Sequence, residues 1–324
     1  MSRLKLNITV FVSLIIVSGV FFTIAVRGVN AAVNDADIRE SSEHHATEGD
    51  VRPLTAKAST ASVPRAQQVM QALNKAYPTL VGLPVKKGGD WAALVRGKWF
   101  YYEQGRLLRQ DMLEAADNYM PQPFYNYVRG APQWKKPSAE EAARLSNAAS
   151  RRRTVGPSRS PAFYDDLWNI HNKNEAIANQ KTCRIFGRDV QVHKFIADKL
   201  LAVEKKINLL AQTEGSVQEW KNSLDSITGF NWRNIADLGS RSNHSYGIAI
   251  DFQARNPKKL ETYWLWTAQK KMDWWNVPDT ERLIPPTPVI KAFEENGFIW
   301  GGKWVFYDTM HFEYRPEILL LNEA

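Results

Sequence analysis

The stretch SNHSYGIAIDF, residues 242–252, has the alternating pattern of a β-strand with one carboxylate inside it. Ile248 and Ile250 fall on one face of this strand, and Ala249 and Asp251 fall on the other. A carboxylate within such an apolar strand is costly to desolvate unless a positive group lies beside it. Small neighbours on its face leave room for that group. The pattern therefore predicts a positive partner docked next to Asp251.

A second stretch near the C-terminus has a similar pattern. Residues 297–313 read GFIWGGKWVFYDTMHFE. Around its end, Met310 and Phe312 face one way, while His311 and Glu313 face the other. This alternation predicts a second strand that presents a histidine and a carboxylate on the same side.

The two stretches together contain a ligand set for zinc. His244 precedes the first strand by enough residues to turn back over the face that carries Asp251. With His311, the set is two histidines and one aspartate, which leaves a fourth position for water, as in catalytic zinc sites. Asp308 lies three residues before His311, where it could stand beside that water as a general base. A buried structural pair between His244 and Asp251 would explain the first stretch without a metal.

The motif SxHxxGxAxD, followed by a Trp- and Gly-rich segment and DxMHFE, resembles the zinc D-alanyl-D-alanine carboxypeptidase family. The match is closest to its branch of L-alanyl-D-glutamate endopeptidases, found in phage endolysins and wall hydrolases. The resemblance covers about residues 190–316, including VHKFIADKLLAVE and GFNWRNI before the first motif. It implies zinc as the cofactor and His244, Asp251 and His311 as its ligands.

The resemblance also implies two catalytic residues. Asp308 fits the acid of the endopeptidase-like branch and would act as the general base. Arg233 would stabilise the substrate carbonyl or the oxyanion, and Arg241, which is closer to the ligand motif, is the second candidate. Glu313 could fix the tautomer of His311, although a surface salt bridge would explain it equally well.

The implied activity is hydrolysis of peptide bonds in the stem peptides of bacterial peptidoglycan. The resemblance leaves open a carboxypeptidase or an endopeptidase, and the bond that is cut. A zinc-bearing but inactive wall-binding module of the same fold is the alternative, and the presence of Asp308 argues against it. The formal net charge of +8 suits an anionic partner, but no interleaved basic and aromatic motif indicates nucleic acid. We expect a monomer, with the oligomeric state open.

The N-terminus has the features of an export signal. Arg3 and Lys5 precede an apolar run over residues 8–26, and Ala31 ends a short stretch of small residues that a signal peptidase could cut. The run is also close to the length of a membrane-spanning helix, so an uncleaved anchor is the competing interpretation. Both predict an exported protein of the periplasm or cell envelope. The single cysteine, Cys183, excludes an intramolecular disulfide.

Composition divides the rest of the chain into four parts. Residues 32–63 are polar and predict a disordered spacer. Residues 64–133 predict a small ordered unit of unknown role, 134–160 a basic linker, and 161–324 the zinc peptidase domain.

The predicted fold class is α+β, with helices flanking a small antiparallel sheet that carries a mononuclear zinc site. Apolar spacing predicts a helix over residues 67–76, a strand–turn–strand at Arg96-Gly97, and further helices over 190–211 and 217–227. His193 lies on the third of these elements, and we expect a core or surface histidine there rather than a ligand.

Six tryptophans crowd the half of the chain that holds the predicted site. Most are expected in the core, because a small domain needs large rings, and one or two could line the cleft. They are Trp264, Trp266, Trp274, Trp275, Trp300 and Trp304.

Overall fold

The computed structural model describes residues 63–132, 134–152, 157–235, 238–255 and 260–321. The predicted export segment and nearly all of the predicted spacer lie outside these ranges. Within them, no helix is both long enough and apolar enough to cross a membrane.

The N-terminal part of the described chain is a helix followed by a sheet. Helix α1 (Arg65–Ala76) confirms the helix predicted from its apolar spacing. An antiparallel sheet follows, with strands β1 (Val85–Lys87), β2 (Asp90–Val95), β3 (Lys98–Glu103) and β4 (Arg106–Leu108) in sequential order. The turn between β2 and β3 falls at Arg96-Gly97, as predicted.

Short elements connect this sheet to the site-bearing part. They are a 3-10 helix (Gln110–Asn118), strand β5 (Tyr119–Met120), helix α2 (Ala139–Arg152) and strand β6 (Ser158–Arg159), which pairs in parallel with β5. Helix α2 lies in the interval predicted as a linker. It begins at a capping box, in which Ser138 and Glu141 each accept a hydrogen bond from the other's backbone N–H.

Helices and a hairpin precede the central sheet. They are α3 (Ala162–Trp168), α4 (Lys173–Ala178), strands β7 (Gln180–Ile185) and β8 (Arg188–His193), and helices α5 (Ala197–Leu210) and α6 (Gly215–Ser223). The helix predicted over 190–211 was wrong at its start. Val190 and Val192 belong to strand β8, where they pair with Cys183 and Lys181 of β7 and point inward. Cross-strand pairing of β-branched residues prevails there over the helical spacing.

The central sheet carries the predicted metal ligands. Its strands are β9 (Leu224–Thr228), β10 (Ala249–Ala254), β11 (Phe298–Trp300) and β12 (His311–Tyr314), in the antiparallel order β11-β12-β10-β9. The helix predicted over 217–227 was therefore wrong at its end, because Leu224 and Ile227 are buried in strand β9. Helices α7 (Trp264–Ala268), α8 (Thr287–Glu294) and α9 (Pro316–Leu320) complete the described fold. The mixture of helices and small antiparallel sheets confirms the α+β class.

One core joins the two ends of the described chain. Its buried residues run from Val69 in α1 to Leu321 after α9. The Tyr77 hydroxyl donates a hydrogen bond of 2.7 Å to the buried carboxylate of Glu317. Behind the site, Phe293 stacks on Phe312 with ring centroids 3.9 Å apart, and truncating such a ring typically costs about 3–5 kcal/mol. The predicted domain boundaries stay a prediction.

Candidate metal centre

His244 is held in place by a short turn and a backbone carbonyl. It lies in a 3-10 helix (Asn243–Tyr246), whose N-cap Ser242 accepts a hydrogen bond from the His244 backbone N–H. The His244 Nδ1 lies 2.7 Å from the carbonyl oxygen of Gly229. A carbonyl can only accept, so Nδ1 carries the proton and Nε2 presents a lone pair. Gly229 is required because a Cβ there would come within 2.2 Å of the Gln191 carbonyl oxygen.

Strand pairing brings the other two predicted ligands together. Asp251 in β10 and His311 in β12 are direct register partners. Their side chains meet with Asp251 Oδ1 2.9 Å from His311 Nδ1. His244 Nε2 lies 3.2 Å from Asp251 Oδ2 and 3.3 Å from His311 Nδ1.

These three residues form a cluster that could hold a metal ion. One ligand atom from each lies within 4.8 Å of the others. The set of two imidazoles and one carboxylate, with both histidines oriented by hydrogen bonds through their other nitrogens, is the arrangement that suits zinc. The chemistry of the residues therefore fits the metal that the sequence predicts.

The charges of the centre depend on one another. Burial raises the pKa of Asp251, but the adjacent His244 and His311 outweigh burial and leave that pKa well below its usual range. Burial lowers the pKa of His311, yet hydrogen bonds with Asp251 and Glu313 raise it to about 10. In the metal-free protein a proton on His311 thus supplies the positive charge that the buried carboxylates need.

Glu313 supports His311 from the far side. Its Oε2 lies 3.2 Å from His311 Nε2 and accepts a hydrogen bond of 2.8 Å from the Asn243 amide. Burial raises the Glu313 pKa, but the hydrogen bond with His311 and the nearby charge of Arg315 lower it to about 2. Only 6% of Glu313 is exposed, so the structure favours the tautomer-fixing role over the surface salt bridge.

Asp308 sits in the loop that enters β12. It pairs with Tyr263 in an isolated antiparallel bridge, and its backbone N–H donates to the Gly301 carbonyl at 3.0 Å. Its Oδ1 atom is buried and has no hydrogen-bond partner among the described residues. Burial, with a smaller effect from the charge of Asp251, raises the pKa of Asp308 to about 7. A carboxyl group with such a pKa can accept and return a proton near neutral pH.

The two candidate arginines differ in their surroundings. Arg233 is exposed, and its positive charge acts to lower the pKa of Asp308. Arg241 is engaged elsewhere, because it forms an ion pair with Asp165 and its guanidinium lies 4.6 Å from the ring centroid of Trp232. Of the two candidates, Arg233 is therefore the one whose charge acts on Asp308, whereas Arg241 is paired with Asp165.

Half of the six tryptophans lie in the core, and Trp275 and Trp304 are half-buried. Trp264, Trp274 and Trp300 are fully buried, whereas Trp266 is 47% exposed. The indole of Trp304 lies against His311, with ring centroids 5.3 Å apart. His193 is a buried core histidine, as expected, whose Nδ1 accepts from the Phe195 backbone N–H.

Sequence reasoning missed one residue close to the centre. The Tyr125 hydroxyl accepts a hydrogen bond from Trp304 Nε1 although the two residues are 179 positions apart. Tyr125 lies in the unit whose role the sequence leaves open, outside any recognisable motif.

A cluster of two histidines and an aspartate on a small antiparallel sheet, with a buried carboxyl oxygen beside it, is an arrangement typical of single-metal hydrolases. Comparison with known families agrees with that class. Residues 236–314 match the family model described as D-alanyl-D-alanine carboxypeptidase, which supports the resemblance of the motifs to that family. Residues 69–124 match a model described as a domain of unknown function. No significant match to a curated protein or to a solved structure was found.

Proposed function

We propose that this protein is a zinc-dependent peptidase that hydrolyses peptide bonds in peptidoglycan stem peptides. The family match over residues 236–314 supports peptidase activity on this class of substrate. The observation that carries the proposal is the buried, unpartnered Oδ1 of Asp308 next to the cluster of His244, Asp251 and His311. A purely structural ion pair would not need a further carboxyl group with one buried oxygen that has no hydrogen-bond partner.

His244, Asp251 and His311 would hold the zinc ion through Nε2, a carboxylate oxygen and Nδ1. When bound, zinc would supply positive charge that polarises the scissile carbonyl and makes water more acidic. Gly229 and Glu313 would keep the two imidazoles in the tautomers that present a lone pair to the metal.

Asp308 would move the proton. Burial raises its pKa above that of an ordinary carboxyl group, which favours taking a proton from the attacking water and then giving it to the leaving amine. Arg233 would stabilise the oxygen of the scissile carbonyl as negative charge develops on it. Donors of that kind are typically worth about 2.7–4 kcal/mol.

The finer substrate assignment is part of the proposal. The motifs are closest to the L-alanyl-D-glutamate endopeptidase branch, and the matching family model is described as a D-alanyl-D-alanine carboxypeptidase. Both cut next to a D-amino acid. Activity on the cell wall requires export, which agrees with the N-terminal signal predicted from residues 1–31.

The experiment uses the full chain, because Tyr77 and Tyr125 in the N-terminal part contact Glu317 and Trp304 in the part that carries the site. Zinc-loaded protein is incubated with purified peptidoglycan, and the released fragments are identified by mass spectrometry. We expect new amines from one type of bond, and none from a His244→Ala variant. Zinc and wall binding without any new amine would instead identify an inactive binding module and contradict the proposal.

A further inference from the structure

Residues 123–130, here called the edge segment, contact the end of β11, the outer strand of the sheet that carries the metal ligands, and residues before and after that strand. The segment is almost entirely outside the two regions that match family models, which end at residue 124 and begin at residue 236. Its hydrogen bonds to the part of the chain that carries the site include Trp300 N–H to the Tyr127 hydroxyl (3.0 Å), Lys303 Nζ to the Val128 carbonyl (2.8 Å), and Gly130 N–H to the Glu294 carboxylate (2.8 Å).

One side chain of the edge segment reaches the wall of the metal centre. The Tyr125 hydroxyl accepts the hydrogen bond of the Trp304 indole N–H. The Trp304 ring lies close over Gly301, where a Cβ would come within 3.0 Å of that ring. The indole also contacts the His311 ring, at an interplanar angle of 50°. Trp304 is therefore held between a glycine backbone, a tyrosine hydroxyl and a candidate ligand.

This contact supplies a restraint that the hydrogen bonds of His311 do not. Asp251 and Glu313 act on the two nitrogens at the edge of the imidazole. The Trp304 indole packs against the ring and limits its tilt. An indole whose N–H had lost its partner would be free to turn toward water, since a buried donor without an acceptor is unfavourable.

We propose that Tyr125 is a positioning residue for the metal centre: through the Trp304 indole it fixes the orientation of the His311 ring, and so the direction of the ligand atom Nδ1. The N-terminal unit, whose role the sequence leaves open, is then part of the catalytic apparatus. The inference rests on the metal site of the proposed function.

The test uses cobalt(II) in the full chain, because its visible absorption reports the geometry of the ligands without any substrate. Tyr125→Phe removes only the hydroxyl. We expect a changed cobalt spectrum and a loss of metal affinity toward the lower end of the about 10–100-fold range for residues that support ligands. Tyr127→Phe is the matched control, because Tyr127 bonds to Trp300 and Glu294 but not to a residue that touches His311. It should lower the melting temperature and leave the cobalt spectrum unchanged.

A double-mutant cycle with Trp304→Phe completes the test. In that background no indole N–H remains, so Tyr125→Phe should have no further effect on the spectrum or the affinity. An unchanged spectrum and affinity in Tyr125→Phe, or an equal effect with and without Trp304, would overturn the inference. Peptidoglycan hydrolysis by the unaltered protein, measured separately, shows whether the proposed function itself holds.

Discussion

Asp251 and His311 face each other directly across neighbouring antiparallel strands, with Oδ1 of one 2.9 Å from Nδ1 of the other. Directly opposed residues project from the same face of a sheet. A slip of one residue in this register would turn one of the two side chains to the opposite face. Strand pairing therefore fixes the distance between two ligands before any metal binds.

The carboxylate of Glu313 should contribute strongly to metal affinity. Glu313→Gln keeps the size of the side chain but weakens the acceptor for His311 Nε2. We expect an affinity for zinc about 10–100-fold lower, measured by competition with a coloured chelator. Glu175→Gln is the control. The Glu175 carboxylate lies 3.0 Å from His171 Nδ1, and neither residue belongs to the metal centre. Equal zinc affinities in both variants would contradict the role given to Glu313.

The stabilising effect of zinc should grow with pH. The pKa of His311 in the folded, metal-free protein is raised to about 10, whereas an unfolded histidine has a pKa of about 6.5. Between these values only the folded state binds this proton, so the stability that it provides is full below about pH 6.5 and is lost as pH rises. Zinc displaces the proton and removes this dependence.

This pH effect is measured as the difference in melting temperature between zinc-loaded and chelator-treated protein. We expect the difference to be larger at pH 9 than at pH 7. A difference that stays constant or shrinks over this range would show that His311 does not carry the proton in the metal-free state.

The close approach behind His244 predicts a strong steric effect. In Gly229→Ala the new Cβ would meet the Gln191 carbonyl oxygen at 2.2 Å, which forces the backbone to move. We expect a loss of about 1–3 kcal/mol in the free energy of unfolding, measured with urea. Gly215→Ala is the control, since a Cβ at Gly215 meets nothing within 4 Å. Similar stabilities of the two variants would contradict the tight packing at Gly229.

Replacing Arg233 should mainly affect activity, whereas replacing Arg241 should mainly affect stability. Arg233→Ala removes an exposed charge, so we expect kcat to fall about 10²–10³-fold with little change in melting temperature. Arg241→Ala leaves the carboxylate of Asp165 without its ion pair and should mainly lower the melting temperature. A large loss of kcat in Arg241→Ala, with Arg233→Ala near normal, would reverse the assignment.

The sequence predicted those features of the fold and the centre that depend on residues close together along the chain. Alternation around Asp251 and His311 predicted two strands with the ligands on one face, and the turn at Arg96-Gly97 was predicted from its own residues. The start of the predicted helix over 190–211 was wrong because Val190 and Val192 take their conformation from pairing with β7. Tyr125 could not be found at all, because its contact joins residues 179 positions apart.

The central claim, that Asp308 is the general base of a zinc peptidase, is tested most directly by Asp308→Asn. The amide keeps the size of the side chain but cannot accept the proton of water. Because burial already disfavours the charged carboxylate, the melting temperature should stay equal or rise slightly. Zinc content should not change.

The measurement is the rate at which this variant releases new amines from peptidoglycan, at a zinc content confirmed to match that of the unaltered protein. General acid–base help is typically worth about 10²–10⁴ in rate, so we expect a loss of that size. Hydrolysis at a near-normal rate by zinc-loaded Asp308→Asn would contradict the mechanism and make Glu313 the next candidate for the base.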